Sequence, residues 1–218
     1  FSNGLVKQWS WYDVNNYCYG TAIAARNNGE TFITGKNYYS TEPSKIVKTD
    51  ANGNETWSNI INTEYTGGQD YLYDYVVDNN GNIYAAGYAY DAANMVVYRL
   101  DRNGEIVWKN YFNTNSFHAY DIKYDAANNA VYVCGSRGNY MGLVKYNATT
   151  GATVWGASYN APGSGQDAAY ELDYDNNGNI YITGSYISNI VIGGVTYPGY
   201  PNTSSMTTDI FLFKLNSD

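Results

Sequence analysis

The phrase DNNGNIYAAG, at residues 78–87, returns almost unchanged as DNNGNIYITG at residues 175–184. It is the most visible part of a longer period. Four strand-like segments end in glycine, at Gly35, Gly87, Gly135 and Gly184, at intervals of 52, 48 and 49 residues. Four tryptophans, Trp9, Trp57, Trp108 and Trp155, keep the same beat at intervals of 48, 51 and 47 residues. Two features holding one period define a structural repeat of about 50 residues. Such a unit cannot bury its apolar face alone, so the copies must pack on one another.

Four alternating segments fit in one period. In the second unit strand A reads YLYDYVVD, strand B IYAAGYAY, strand C MVVYRL and strand D EIVWKNYF. Alternation of period two marks half-buried strands, and the intervening NNGN and DRNG supply the positive φ of tight hairpins. Four antiparallel strands per period is the arithmetic of a β-propeller blade. The expected fold is all-β: a single β-propeller domain over residues 1–218, with four blades of four antiparallel strands. The units run near 12–62, 63–113, 114–160 and 161–218, the last completed by residues 1–11. That completion follows from the ends. The last unit stops at DIFLFKLNSD, its third strand, while NGLVKQWSWYD near the N-terminus aligns on tryptophan with NGNETWSNII and NGEIVWKNYF. The N-terminal strand is expected to pair with the C-terminal blade and close the ring, which removes open sheet edges.

Composition agrees with an all-β chain and excludes some partners. There are 26 Tyr against 12 Lys plus Arg, and the formal net charge is -8. Tyrosine suits a pleated, half-buried surface. A phosphate backbone needs clustered cations, so nucleic acid is not an expected partner. No apolar run reaches the length of a membrane span, so membrane insertion is not expected. Two cysteines, Cys18 and Cys134, make no disulfide framework and are expected free and buried. Asn54, Asn147 and Asn202 stand in N-x-[ST] sequons. No leader pattern stands at Phe1, so a mature or cytosolic chain is expected.

DNNGNIYITG, the Gly-rich IVIGGVTYPG, DIFLFKLN and LDRNGEIVW resemble the SBBP-type β-propeller repeats of bacterial secreted and surface proteins. YNATTGATVW is similar to the Trp-bearing turn of quinoprotein-type propellers. The resemblance covers nearly the whole chain and implies the blade and a secreted or cell-surface location. The four-blade count and the short B–C inserts of the first three units depart from the pattern. No family site carries over, and quinone chemistry is not implied.

On a propeller the A–B and C–D turns share one face and the B–C and D–A loops the other. The first set is short and stereotyped here and the second set varies, which marks the second face for binding. It carries Tyr38, Tyr39, Tyr88, Tyr90, Asp91, Arg137, Tyr140, Tyr186, Tyr197 and Tyr200, with the repeated pairs Gln69–Asp70 and Gln166–Asp167. Tyrosine rings stack on the apolar faces of sugars while Asp and Gln bind hydroxyls, and the same mixture suits a protein surface. At least half of the tyrosines are expected to be structural.

Strand A adds a second constellation. Aligned on the turn, one column reads Ala22, Asp74, Asp121, Glu171, and the column before it Thr21, Tyr73, Tyr120, Tyr170. Three carboxylates converging near the axis would call for protons or a cation such as Ca²⁺. DYDNNGN opens like a calcium loop but lacks its final Glu, and a plain hairpin turn is the favoured reading. His118, the single histidine, is expected to be an ordinary packed or rim residue. No nucleophile or zinc motif is visible. The expected function is a secreted or surface binding module for a glycan or protein. It is read as no enzyme and as needing no cofactor. The alternative is an assembly subunit of an extracellular layer or filament, with exposed Tyr clusters as homo-oligomer contacts. A carbohydrate-active hydrolase using the axial carboxylates is the least favoured reading.

Overall fold

The alternation in each repeat becomes a meander of antiparallel strands. The computed structural model describes residues 7–13, 18–37, 44–61, 70–89, 94–112, 117–137, 140–160, 167–187, 189–199 and 208–216. The first sheet contains β1 (Cys18–Ala25), β2 (Thr31–Asn37), β3 (Lys45–Thr49) and β4 (Glu55–Ile60), in that spatial order. The second repeats the order with β5 (Asp70–Val77), β6 (Ile83–Ala89), β7 (Asn94–Leu100) and β8 (Ile106–Phe112). The third has β9 (Phe117–Asp125), β10 (Ala130–Arg137), β11 (Tyr140–Asn147) and β12 (Thr153–Asn160). In the fourth, β13 (Ala168–Tyr174) and β14 (Ile180–Tyr186) are followed by a separate hairpin, β15 (Ile190–Ile192) and β16 (Val195–Tyr197). The chain then returns as β17 (Asp209–Leu215) beside β14.

The recurring phrase builds the hairpin turns. Asp78 Oδ1 accepts from the backbone N–H groups of Asn80 and Asn82, each at 2.8 Å, and Oδ2 accepts from Asn82 Nδ2 at 2.7 Å. Asp175 does the same with Asn177 and Asn179. The hydrogen bonds from Asn179, above all, hold the Asp175 carboxyl down at about 2. The glycine of each turn takes positive φ, 86° at Gly81 and 78° at Gly178. DYDNNGN is therefore a hairpin turn whose aspartate is already filled with donors.

Consecutive sheets pack face to face. We call the face turned toward the next sheet forward and the opposite one backward. Ile46, Val97 and Leu143 hold the same register position on the forward faces of the first three sheets. Each is buried against the following sheet, in clusters with Leu72 and Tyr75, with Ile122 and Val133, and with Leu172 and Ile182. At roughly 25 cal/mol per Å² of apolar surface, these seams are the main source of cohesion. On the same face a cation lies over an aromatic ring in every sheet: Lys48 over Phe32, Arg99 over Tyr84, Lys145 over Tyr132 and Lys214 over Tyr181, at 5.3–5.9 Å.

The periodic tryptophans clamp the seams. Trp57 reaches from β4 to the next C–D turn, its Nε1 donating to the Arg102 carbonyl at 3.2 Å and its ring lying on Gly104. Trp108 repeats this with the Ala148 carbonyl at 3.0 Å and Gly151. Trp9 lies on Gly53 in the same way.

Among the described residues the expected ring closure is not formed. Residues 7–13 carry no strand, and residues 1–6 lie outside the described set. The N-terminal segment is held by the first sheet instead. Trp9 covers Gly53, Trp11 Nε1 donates to Glu55 at 3.2 Å, and Asp13 pairs with Lys45 at 3.4 Å. The fourth sheet has three strands, and among the described residues none pairs with the free edge of β17. The end faces are open: Ile23 is 73% exposed, and Ile210 and Leu212 are 88% and 72% exposed.

Candidate functional site

The glycine that ends each B strand shapes the inner edge. The register between strands A and B skips one residue per sheet: Thr21, Tyr73, Tyr120 and Tyr170. Each is the extra residue of a β-bulge, which re-aims a side chain. At the bulge the strand A backbone runs against the glycine. A Cβ on Gly87 would lie 1.8 Å from the Tyr71 carbonyl oxygen. On Gly135 it would lie 1.9 Å from that of His118, and on Gly184 1.9 Å from that of Ala168. Only glycine admits so close an approach.

The bulges line up a strip of aromatic rings. Tyr88, at the end of β6, stacks on His118 at 3.9 Å and 5°. Tyr73 lies edge-on to Tyr120 at 6.0 Å, and Tyr120 lies 5.5 Å from Tyr170. Ser136 Oγ donates to the Tyr120 hydroxyl at 3.0 Å. In the first sheet the bulge residue is Thr21, whose hydroxyl pairs with that of Thr34 at 2.8 Å. The strip spans three sheets, at the end of strand A that receives the D–A loops. It is a surface of rings rather than a cavity; a space of about 340 Å³ lies elsewhere, among the polar A–B turns around Arg26 and Asn79.

The carboxylate column does different work from the expected ion site. Asp74 Oδ2 accepts from the backbone N–H of Ile122 at 3.3 Å, and Asp121 Oδ2 from that of Leu172 at 2.7 Å. Each carboxylate thus reaches across a seam to the next strand A. Asp121 Oδ1 also takes Lys123 Nζ at 2.5 Å and its neighbour's N–H at 2.8 Å. In the first seam Ser44 Oγ accepts from Leu72 N at 2.9 Å. Burial, then the adjoining Asp121 carboxylate, pushes Asp74 up to about 7. Lys123 stays above its ordinary value; burial alone would lower it, and the contact with Asp121 outweighs that. Among the described residues no three His, Cys, Asp or Glu side chains gather to hold a metal. Of the three carboxylates in the column, Asp74 and Asp121 cap backbone donors, and Glu171 lies at the open forward face of the fourth sheet.

The other candidates divide. Tyr88 belongs to the aromatic strip. Tyr140 opens β11 opposite Arg137, whose side chain lies outside the described set. Tyr197 is 40% exposed on β16, its ring 5.3 Å from Phe213. Two expectations of display are overturned. Asp167 is fully buried, its Oδ1 accepting from Ile187 N at 2.9 Å. Tyr186 is buried beside Phe211, its hydroxyl donating to the Pro198 carbonyl at 3.2 Å. Both side chains tie down the excursion that carries the extra hairpin. Tyr38, Tyr39, Gln69, Tyr90, Asp91, Gln166 and Tyr200 lie outside the described residues, as does the Asp70 side chain. Cys134 is a buried free thiol, and the Cys18 side chain is outside the described set. The sequence alone does not bring Tyr73, His118, Tyr120 and Tyr170 together as one strip. The tyrosine column was its visible signal; the bulge that aims it was not.

Similar solved structures are propellers and proteins of wider kinds. The chain matches a protein of unknown function from Bacteroides caccae at 15% identity and TM-score 0.52, over 80% of this chain and 59% of the other. It matches the Dos1 propeller at 12% identity and TM-score 0.52, over 80% and 43%. A europium-containing methanol dehydrogenase matches at 15% identity and TM-score 0.52, over 80% and 42%. The chain spans only about two fifths to three fifths of these structures' lengths. No protein-family model matches the chain, and no curated protein does. The likeness shows an all-β, propeller-like fold and nothing finer. It also overturns the expectation of no enzyme, because a dehydrogenase shares this scaffold; the fold does not exclude catalysis.

Proposed function

We propose that the chain is a four-blade ligand-binding module of a secreted or cell-surface protein, of the SBBP-repeat type. We further propose that its ligand is a glycan laid across the aromatic strip. The contiguous rings of Tyr88, His118, Tyr73, Tyr120 and Tyr170 carry this reading. Flat rings at successive sheets suit the apolar faces of successive sugar units, and the hydroxyls at their rims suit sugar hydroxyls. The low density of cations disfavours an anionic polymer. A glycan-array screen followed by calorimetry tests the proposal. Tyr120→Ala and Tyr170→Ala are each expected to weaken binding about 3- to 10-fold per lost stack, with circular dichroism unchanged. A blank array, or a glycan whose affinity ignores both substitutions, would refute it.

A further inference from the structure

We propose that two copies of this chain join head to tail into one eight-sheet ring. The forward face of the fourth sheet in one copy docks on the backward face of the first sheet in the other. This inference is independent of the ligand.

The three internal seams state the rule that the open ends leave unfulfilled. The register position of Ile46, Val97 and Leu143, all buried under a following sheet, is Leu212 in the fourth sheet, 72% exposed. The position of Met95 and Met141, also buried, is Ile210, 88% exposed. The backward face mirrors this. Tyr75, Ile122 and Leu172 fill each preceding sheet, and their counterpart in the first sheet is Ile23, 73% exposed. An open trough of about 290 Å³ lies along the fourth sheet between Glu171, Tyr181, Thr183 and Leu212. One of about 270 Å³ lies on the first sheet between Trp11, Ile33 and Val47. The two ends of one chain are thus the two halves of a seam it makes three times.

The polar and tryptophan contacts point to the same occupant. Asp74 and Asp121 each accept a backbone N–H from the next strand A, and Glu171 is the next in that column. In register, its partner across the new seam is the N–H of Ile23. Trp57 and Trp108 stand on strand D of one sheet and clamp a turn glycine of the next. Trp9 clamps Gly53 in the same manner, so its segment already lies where strand D of a preceding sheet belongs. Among the described residues the fourth sheet lacks that strand. In the pair, each copy's segment around Trp9 lies beside β17 of the other. Propeller rings typically have four to eight blades. One copy leaves its end faces apart, two give eight sheets, and three would exceed the range. Head-to-tail contacts close when the rotation permits, here by a two-fold axis.

Sedimentation equilibrium on the 218-residue chain tests this. The expected mass is twice 24.2 kDa. Leu212→Glu and Ile23→Arg alter exposed side chains on opposite ends, so each single copy should keep its circular dichroism spectrum. Each is expected to weaken association at least about 100-fold by burying a charge in the seam. An equimolar mixture of the two variants retains one intact seam and should sediment heavier than either alone. A chain that stays a single copy up to high micromolar concentration would overturn the proposal. So would a pair that survives Ile23→Arg, which would mean a like-to-like contact, or a mass that climbs past two copies, which would mean an open filament.

Discussion

Replacing Asp74 by asparagine should remove a loss of stability that the parent chain suffers as pH rises. Burial and the Asp121 carboxylate raise Asp74 from 3.8 to about 7. The folded state therefore holds this proton more tightly than the unfolded chain does. Folding takes up a proton between about pH 4 and pH 7, so stability falls through that window and levels off above it. Three pH units at about 1.4 kcal/mol each bound the effect near 4 kcal/mol, and the partial solvent access of the seam brings it to about 2–3 kcal/mol. Asparagine keeps one acceptor for the Ile122 N–H and one donor for Asp121, and it cannot ionise. Asp74→Asn is thus expected to exceed the parent by about 1 kcal/mol at pH 5 and by about 2–3 kcal/mol at pH 8. Urea denaturation followed by tryptophan fluorescence, at fixed ionic strength from pH 4.5 to 8.5, measures both. Glu30 and Asp175 are held down at about 2 and act with the opposite sign, below that window. His118→Gln is the control for the imidazole, whose ordinary range crosses the window. A parent whose stability is flat from pH 5 to 8, or a variant weaker than the parent at pH 8, would refute the reasoning.

Two further substitutions probe the repeat devices. Gly135→Ala places a methyl 1.9 Å from the His118 carbonyl oxygen. It should cost about 1–3 kcal/mol in a denaturant titration and displace Tyr120, weakening the ligand binding proposed above by no more than about the 3- to 10-fold expected of Tyr120→Ala. Trp108→Phe keeps a ring on Gly151 but loses the bond to the Ala148 carbonyl, an expected loss of about 1 kcal/mol. Trp108→Ala loses both, about 3–4 kcal/mol, and equal losses for the two variants would show that ring packing is not what the tryptophan supplies.

The all-β strand pattern and the strand order within a sheet were legible because their causes are local. Alternation and the Asp-Asn-Gly turns act within a few residues, and the strands of the second sheet fall within about a residue of where the pattern puts them. The meaning of the periodic glycines and tryptophans was not legible, because each acts on a neighbouring strand or sheet rather than on its own turn. The N-terminus shows the difference well. Alignment on Trp9 gives its repeat position, and Trp9 does lie on Gly53, yet among the described residues its segment makes no pairing to β17. The carboxylate column was visible too. Its role depended on a bulge that turns a backbone N–H of the next sheet toward it, and alternation cannot register a skipped residue. Burial of Asp167 and Tyr186 depends on how the segment bearing β15 and β16 folds back, which no local pattern specifies.

The clamps and bulges ask almost nothing of the side chains around them. The first two internal seams each place a tryptophan on a turn glycine, and the second and third each place a carboxylate on a backbone N–H, in addition to the apolar packing that joins the sheets. A stretch of DNA encoding one unit could be duplicated in place, and the new copy would arrive with both of its joints already cut to fit.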